Sequence, residues 1–513
     1  MIKKIIAVMC ATVVCSGLAF LPNYNGKSIV PTINAALEGD YYTDEYGVTY
    51  RFTIDQSDNT ACLKGIKNVK SNLILPSSVT LNGNSYTVTK LGNGFGYHYE
   101  EINSITIPNT IYSLGDSCFY LADNLVSVNG GDSINEIGRD TFQYTAWEEN
   151  QKNTKGYCNL GKYLIRYFSS EETVDLSKSE FDNIEYICPL ALKSIIKTKK
   201  LILPKNMKSI SIDAILIHNE ENTPYILNEV KFYDAKSNKY IDLYDACMSD
   251  NYSDYSFMYD NYDAFLQTQL CDKIALDYTK KIFSKCGIKY LGSTNNTGYS
   301  AWEEYQIIRK LYIYVCDNFT EYNCENGKSS SFKTEFFYRH GIMCHDFAEM
   351  FKYFCDAAGI TCVVAYGNNH EFNDVKIGDK WFNLDSCASW NLSVQSFLTT
   401  DNVFKEPSGS HTKTYKSTYL QCTTQIGDVN QDGYINSIDA SLILDAYSSS
   451  RVSNRNNNFS SFDLVLCDVD RNGYVNAIDS SWVLSYYSYV QTHKGGETPS
   501  LEQYMHNNGL HII

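Results

Sequence analysis

The most regular pattern of apolar positions is a repeat in the first half of the chain. An apolar residue, two variable residues and the pair Leu-Gly or Ile-Gly recur every 23 residues, at Leu91, Leu114 and Ile137. A phenylalanine follows each copy, and short apolar runs end in proline at 73–76, 105–108 and 201–204. A fixed period in the twenties is typical of a solenoid, whose units bury their apolar faces against their neighbours. The pattern therefore predicts a solenoid.

Helical and strand periods alternate in the segment between residues 300 and 390. Apolar positions at helical spacing predict one helix over Trp302–Phe319 and another that begins at Cys344. Two apolar strands follow, Thr361–Tyr366 and Lys380–Asp385, and the second comes after a Gly-Asp turn. The segment is thus predicted to be an α+β domain in which a helix packs on a hairpin.

Three side chains of this segment, Cys344, His370 and Asp385, have the chemistry of a hydrolytic triad. Cys344 would lie at a helix N-terminus, where the dipole and free N–H groups favour the thiolate. His370 would act as general base and acid, and Asp385 would orient the imidazole. Taken alone, Cys344 could be a small buried hydrophobe and Asp385 a brace for a strand end. Together they predict acyl transfer or amide hydrolysis.

The same segment resembles a known enzyme superfamily. Gly341–Cys344, the helix that ends at Ala358, His370–Asn373 and Lys380–Asp385 are similar to the core of the transglutaminase-like superfamily of papain-type thiol enzymes. The resemblance covers about residues 300–390. It implies a papain-like α+β fold in which Cys344, His370 and Asp385 are the catalytic residues.

The chain also departs from that family beside the two key residues. Glu371 and Phe372 follow the histidine, where a small residue and then Trp are usual, and His345 directly follows the cysteine. Glu371 could therefore change the access groove or the pKa of the histidine. With water as acceptor the enzyme would be a cysteine peptidase or amidase, and with an amine it would be a cross-linking acyltransferase. We expect hydrolysis, because water is in vast excess outside the cell.

Two segments near the C-terminal end share one metal-binding pattern. Each places oxygen ligands at loop positions 1, 3, 5, 7, 9 and 12 with glycine at position 6, and the second follows the first by 40 residues. Metal-free Asp/Asn-rich turns are the alternative, but two full matches are hard to obtain by chance. The pattern predicts two Ca²⁺ ions, one bound by Asp428, Asn430, Asp432, the carbonyl of Tyr434, Asn436 and Asp439, and one by Asp468, Asp470, Asn472, the carbonyl of Tyr474, Asn476 and Asp479.

A helical pattern follows each loop, and this arrangement over residues 425–492 resembles the type I dockerin module. It departs from a full EF-hand in having Asp rather than Glu at position 12. The resemblance implies calcium-dependent docking onto a cohesin module of a scaffoldin, within a cell-surface cellulosome. It also implies that partner specificity is read at loop positions 10 and 11, which are Ser437, Ile438, Ala477 and Ile478.

The repeats of the first half are similar to bacterial leucine-rich repeats of the surface-protein type. This resemblance covers about residues 70–235 and implies a ligand-binding solenoid. An ordinary antiparallel β domain is the alternative. The repeats carry no catalytic constellation, so we expect them to bind rather than to react.

The first residues have the pattern of an export signal. Lys3 and Lys4 precede the apolar run Ile5–Leu21, and the small residues Asn34–Ala36 offer a cleavage site. A membrane anchor is the alternative, but the run is short for a span, and no later run is long enough to be one. The pattern predicts a signal peptide over residues 1–36 and a secreted protein.

Composition narrows the partners and the redox state. The formal net charge is −16, which argues against a nucleic-acid partner because phosphates would be repelled. Two of the 17 cysteines, Cys10 and Cys15, lie in the export segment, and no C-x-x-C pair suggests zinc. An odd number of cysteines then remains, so at least one thiol per monomer is free unless chains are cross-linked. The dockerin resemblance implies an anaerobic fibre-degrading source, in which thiols can stay reduced.

These patterns predict a multidomain protein: a signal peptide (1–36), a leucine-rich-repeat solenoid (37–240), a papain/transglutaminase-like domain (241–420, core 300–390), a small α calcium-binding dockerin (425–492) and a C-terminal tail (493–513). The predicted function is a cohesin-docked thiol enzyme that acts on a protein or plant-wall substrate. Two alternatives stay open, a non-catalytic binding or adhesion protein and a carbohydrate-active role in polysaccharide catabolism. The second lacks a readable pair of carboxylates, although such pairs are set by spatial separation.

Overall fold

The computed structural model describes residues 40–215, 226–249, 261–266, 268–292, 298–321, 340–342, 344–367, 370–387, 395–403, 413, 420–451, 458–493 and 498–510. The chain divides into two compact units, Met1–Trp147 and Glu148–Ile513. The predicted signal peptide lies outside the described residues. Within them, no helix combines the length and the apolar character that crossing a membrane requires.

The first unit contains two sheets. One has the order β1-β2-β3-β6-β8-β10 with β5 beside β6, and the other has the order β4-β7-β9. The strands are β1 (Asp40–Thr43), β2 (Thr49–Asp55), β3 (Thr60–Lys67), β4 (Asn72–Ile74), β5 (Ser78–Leu81), β6 (Asn84–Leu91), β7 (Ser104–Ile107), β8 (Ser113–Leu114), β9 (Ser127–Gly130) and β10 (Glu136–Ile137).

Parallel pairing of these strands follows the sequence repeat. Leu91 pairs with Leu114, and Leu114 pairs with Ile137, so each copy lies beside the next. The phenylalanines that follow the copies, Phe95, Phe119 and Phe142, are buried, and the last two stack with ring centroids 5.5 Å apart. The repeat therefore builds a β-solenoid with a continuous aromatic core, and the predicted solenoid fold is confirmed.

The second unit begins with more solenoid strands. Two sheets have the orders β11-β12-β14-β16 and β13-β15-β17-β18. The elements are α1 (Ala146–Lys155), β11 (Tyr157–Leu160), β12 (Tyr163–Tyr167), β13 (Thr173–Asp175), a 3-10 turn (Ser179–Phe181), β14 (Tyr186–Ile187), β15 (Lys200–Ile202), β16 (Ser209–Ile210), β17 (Glu229–Asp234), β18 (Lys239–Asp242) and α2 (Leu243–Met248).

These strands continue the repeat beyond the copies that the sequence revealed. Leu164, Ile187 and Ile210 follow one another in parallel register, again with 23 residues between neighbours. The sequence pattern misses them because Cys188 and Ser211 stand where the earlier copies have glycine.

An α+β domain follows in the chain. Its antiparallel sheet has the order β21-β22-β23-β24, and the helices α4 and α5 pack against it. The elements are a 3-10 turn (Tyr262–Phe265), α3 (Gln269–Cys286), α4 (Ala301–Asn318), β19 (Thr320–Glu321), β20 (His340–Ile342), α5 (Cys344–Ala358), β21 (Cys362–Tyr366), β22 (Glu371–Ile377), β23 (Lys380–Leu384) and β24 (Phe397–Thr399).

Local sequence sets the ends of the helices. At the start of α4, Ser300 and Glu303 form a capping box, each side chain bonding the backbone N–H of the other residue. After α5, Gly359 has φ = 78°, a conformation that favours glycine and ends the helix. The chain then enters β21, so α5 and the sheet are joined by a short turn.

The C-terminal part is helical. Its helices are α6 (Ser437–Arg451), α7 (Ser461–Cys467), α8 (Ala477–Thr492) and α9 (Leu501–Asn507), and α6 packs against α8. Residues 493–513, which we expect to be a tail, include α9, whose Leu501, Glu502 and Met505 are buried. One hydrophobic cluster joins the α+β domain and these helices, with members from Ala275 to Met505.

Candidate functional site

The sheet of the α+β domain places His370 and Asp385 side by side. Strands β22 and β23 are antiparallel, with Asn373 opposite Leu384, so His370 and Asp385 lie at the same end of neighbouring strands. His370 Nε2 and Asp385 Oδ2 are 2.8 Å apart. The other oxygen of Asp385 accepts the backbone N–H of Cys387 at 2.8 Å. The buried carboxylate is therefore held in position to orient the imidazole.

Cys344 is the first residue of α5 and is half-buried. Its sulfur hydrogen-bonds with the ring of His370 and accepts the backbone N–H groups of Glu371 and His345. The structure thus brings the three predicted residues into one chain of hydrogen bonds.

The electrostatics favour a thiolate and an imidazolium. The hydrogen bond with His370 lowers the pKa of Cys344, and this outweighs burial, which acts to raise it. For His370, burial acts to lower the pKa, but hydrogen bonds to Asp385 and Cys344 prevail and raise it to about 10. The pair is therefore disposed to exchange a proton at neutral pH.

Other thiols provide a contrast. Every cysteine that the structure describes is free of disulfide bonds. Burial raises the pKa of Cys118 and of Cys316 to about 12 in each case. Burial thus disfavours the thiolate of these two cysteines, whereas the pKa of Cys344 is lowered.

Asn373 holds the helix of Cys344 against the strand that follows His370. This fully buried side chain donates through Nδ2 to the carbonyl oxygen of Ala348, in the second turn of α5, at 2.9 Å. Sequence reasoning assigned Asn373 no role. Polar Asn373 and Asp374 interrupt the apolar alternation of β22, and that interruption is the signal that could have found it.

The residues that depart from the resembled family lie at the edge of the site. His345 Nδ1 and Glu371 Oε2 are 2.7 Å apart, and the His345 side chain is exposed. The hydrogen bond to Glu371 raises the pKa of His345. The carboxylate of Glu371 thus pairs with His345, while the backbone N–H of Glu371 hydrogen-bonds to the sulfur of Cys344.

Both predicted calcium loops have the same backbone conformation. Gly433 and Gly473 have φ = 84° and 87°, as the sharp turn at position 6 requires. The position-1 carboxylates, Asp428 and Asp468, accept the N–H of these glycines at 2.9 and 2.8 Å.

The donor set of the second loop fits a calcium ion. Asp468, Asp470 and Asp479 each bring an oxygen within 4.8 Å of the others, and all three are buried. Burial and mutual repulsion raise the pKa of Asp468 and of Asp479. Hard oxygen donors crowded in this way are the ligands that Ca²⁺ prefers, and a bound cation would offset their repulsion.

The four candidate partner-binding residues begin α6 and α8. All are exposed, and Ile438 and Ile478 expose nearly equal fractions, 56% and 57%. Leu444 and Leu484 expose 43% and 44% of their surface. Each lies six residues after the isoleucine of its helix. Sequence reasoning did not include these leucines, although the 40-residue offset relates them too. The two halves therefore present matching apolar side chains to solvent.

Two family models match parts of the chain. Residues 89–220 match the BspA type Leucine rich repeat region, in six copies. Residues 426–486 match the Dockerin type I domain. Neither match includes residues 300–390, so the transglutaminase-like resemblance stays a prediction.

Solved structures with a likeness to the chain include a leucine rich cell surface protein from Faecalibacterium prausnitzii, 19% identical, covering 38% of this chain and 55% of its own, TM-score 0.22. The T. pallidum Leucine Rich Repeat protein is 13% identical, with 35% and 67% covered and a TM-score of 0.21. TM-scores of 0.22 and 0.21 are too low to indicate a shared fold over the whole chain. No curated protein matches the chain. The family models identify a BspA-type leucine-rich repeat region and a type I dockerin domain within this chain.

Proposed function

We propose that this chain is an extracellular cysteine hydrolase or acyltransferase that its dockerin attaches to a cohesin-bearing scaffold. One observation supports the enzyme most: Cys344, His370 and Asp385, which lie on different elements of the α+β domain, are joined by hydrogen bonds. The resemblance of residues 300–390 to transglutaminase-like enzymes supports the same reading.

The reaction would proceed through a thioester. The Cys344 thiolate attacks the carbonyl carbon of an amide, and the C–N bond breaks as the His370 imidazolium gives its proton to the leaving amine. His370 then takes a proton from the acyl acceptor, which attacks the thioester, and the C–S bond breaks to restore the Cys344 thiolate beside the imidazolium. Water as acceptor yields an acid, and an amine yields a new amide. We favour water, because it is in vast excess outside the cell.

The dockerin gives the second part of the proposal. Type I dockerin domains bind calcium. We propose two ions, one in each loop, because the loops share their ligand types and the conformation of Gly433 and Gly473. The matching exposed residues Ile438 and Ile478 would contact the cohesin. Such docking would place the protein in a cellulosome-type complex at the cell surface.

Trapping of the acyl-enzyme tests the catalytic part. The full chain is incubated with a p-nitrophenyl acyl ester, quenched with acid and mapped by mass spectrometry. We expect the acyl mass on Cys344, its loss in Cys344→Ala, and no loss in Cys286→Ala, which changes another half-buried thiol. Acylation that persists in Cys344→Ala would sink the thiol mechanism.

The solenoid favours a second function, ligand binding. Leucine-rich repeats commonly bind proteins, and Tyr97 and Tyr144 expose about half of their surface, 49% and 56%. Tyr120 lies between them, stacked on Tyr97 with centroids 5.5 Å apart. A protein that binds wall or host proteins but forms no acyl-enzyme would be the non-catalytic adhesion protein. Release of reducing sugar from wall polysaccharide would support the carbohydrate-active alternative.

A further inference from the structure

The two calcium loops have nearly the same sequence but different surroundings. At loop position 4, Gln431 is exposed, whereas Arg471 is fully buried with 0% of its surface accessible. At position 6, Gly433 is exposed and Gly473 is buried. Because the loops share their fold, this difference reflects what covers the second loop.

Helix α4 of the α+β domain covers it through three side chains on one face. The Tyr305 hydroxyl donates to Oδ2 of Asp468 at 2.7 Å. Gln306 Nε2 donates to the carbonyl oxygen of Gly473 at 2.9 Å, and Arg309 Nε donates to that of Arg471 at 2.7 Å. One of these partners, Asp468, is itself a position-1 calcium ligand. The contact is therefore made with the metal site and not with a remote part of the dockerin.

Arg471 extends the contact to the end of the chain. Its Nη2 lies 3.1 Å from Oε1 of Glu502 in α9, and both side chains are almost fully buried, 0% and 1% exposed. The amide of Gln425 also donates to Glu502. A buried charge persists only when it is paired, so this ion pair requires loop and helix to stay together.

Apolar packing continues the interface. Phe462 of α7 lies against Phe382 of β23, with ring centroids 6.4 Å apart. Ile308 of α4 and Val465 of α7 are both fully buried in the same cluster. Contacts of this kind distinguish a shared core from two modules on a linker.

We propose that the second calcium loop is an internal binding surface for α4, so that calcium bound there joins the dockerin and the α+β domain into one folding unit. The first loop, whose Gln431 and Gly433 are exposed, is assigned no such role, and Ile438 and Ile478 of the two halves stay exposed for docking. Without the ion, the crowded carboxylates of Asp468, Asp470 and Asp479 repel one another, and the surface that α4 contacts loosens. The inference rests on calcium binding by the dockerin and is independent of the thiol chemistry.

Amide hydrogen exchange of the full chain, read by mass spectrometry on peptides from Ala301–Asn318, tests it. In wild type, exchange in this helix should rise at least about tenfold when Ca²⁺ is replaced by EGTA, as expected when a protecting contact is lost. Peptides from β7 in the first unit serve as the internal reference. Unchanged exchange in α4, with calcium shown to bind both loops, would overturn the inference alone.

Two matched variants separate the contact from the metal. Arg471→Gln copies the residue of the first loop and leaves all six ligand positions intact, so it should retain two calcium ions. It leaves the buried Glu502 without its charge partner and loosens the backbone whose carbonyl accepts from Arg309, so exchange in α4 should rise. Gln431→Arg makes the reverse change on the exposed loop and should leave α4 protected. Equal effects of the two variants would contradict the asymmetry. If the wild-type protein binds no calcium, both the proposal that the dockerin binds calcium and this inference are overturned.

Discussion

At the scale of single residues, opposing effects meet at the sulfur of Cys344. Burial disfavours the thiolate, while the His370 ring and two backbone N–H groups favour it, and the pKa of the thiol is lowered. His370 owes much of its raised pKa to Asp385, which is hydrogen-bonded to Nε2 of the ring. The carboxylate therefore acts on the thiol through the imidazole.

Asp385→Asn tests this coupling. The amide keeps the shape of the side chain but removes its charge, so the pKa of His370 should fall and the thiolate should lose its partner. We expect the rate of Cys344 alkylation by iodoacetamide at about pH 6 to drop at least about tenfold. Asp379→Asn, on an exposed turn of the same sheet, is the control and should leave the rate unchanged. A rate unaffected by Asp385→Asn would contradict the role of Asp385.

Asn373→Ala tests the tie between α5 and β22. The change leaves the carbonyl of Ala348 without its buried donor, which typically costs about 1–3 kcal/mol. We expect a lower urea midpoint and slower labelling of Cys344. Asn318→Ala removes a similar bond to the carbonyl of Tyr314 on an exposed surface and should have a small effect on the midpoint. Equal effects of the two variants would refute the positioning role.

The sequence predicts Cys344, His370 and Asp385 as a triad because a nucleophile, a base and an orienter follow one another around recognisable elements. The structure places His370 beside Asp385, and the catalytic role of the three stays a prediction. Asn373 could not be predicted, since its role depends on which strand α5 packs against, and that is a tertiary contact. The pairing of His345 with Glu371 is of the same kind, because it too depends on how α5 packs against β22.

At the scale of elements, the two predicted calcium loops show what a sequence pattern can and cannot predict. Ligand spacing and the glycine at position 6 predict both loops, and the structure gives Gly433 and Gly473 the expected conformation. The pattern is silent on position 4, where Gln431 faces solvent and Arg471 is buried. Only the fold reveals that one loop has a neighbour.

The pH dependence of the calcium-free chain follows from these carboxylates. Burial and mutual repulsion raise the pKa of Asp468 and of Asp479 above the unfolded value. A raised pKa contributes stability that is fully present below the unfolded pKa and is lost as pH rises through the folded one. In protein freed of calcium by dialysis against calcium-depleted buffer, calorimetry should show the C-terminal helices melting at a higher temperature at about pH 5 than at about pH 8. Saturating calcium should remove or reverse this order, and an unchanged order with calcium would count against metal binding there.

The solenoid was predictable as an element because three copies keep one spacing, and their register matches that spacing. The later copies at Ile187 and Ile210 could not be predicted from the same pattern, because Cys188 and Ser211 replace its glycine. In a solenoid, the stacked apolar residue carries the fold and the turn residue can vary.

At the scale of the whole molecule, the sequence suggests independent modules, whereas the dockerin and the α+β domain share one hydrophobic cluster. Sequence periodicity finds the modules, but it cannot show which surfaces meet. The candidate cohesin-binding residues Ile438 and Ile478 remain exposed in this arrangement. The dockerin can therefore be part of the domain and still present its partner surface.

Ile438→Asp combined with Ile478→Asp tests that surface. A charge in the core of an interface is strongly unfavourable, so the double variant should lose cohesin binding in a calorimetric titration while it retains calcium. Ile212→Asp, at an exposed isoleucine of the solenoid, should bind cohesin as wild type does. Chelation should abolish docking in every variant, and docking that survives it would refute the role of calcium.

The central claim is that the Cys344 thiol is activated, and the rate of its alkylation by iodoacetamide at about pH 6 tests this claim most directly. An ordinary thiol, with a pKa of about 8.5, is almost wholly protonated at that pH and reacts slowly. Peptide mapping compares wild type with His370→Ala, with the half-buried Cys286 as the internal reference. We predict fast labelling of Cys344 in wild type that collapses in the variant. Slow labelling of Cys344 in both proteins, with full labelling at high pH to show that the thiol is accessible, would contradict the thiol mechanism. Ligand binding without catalysis would then be the remaining function.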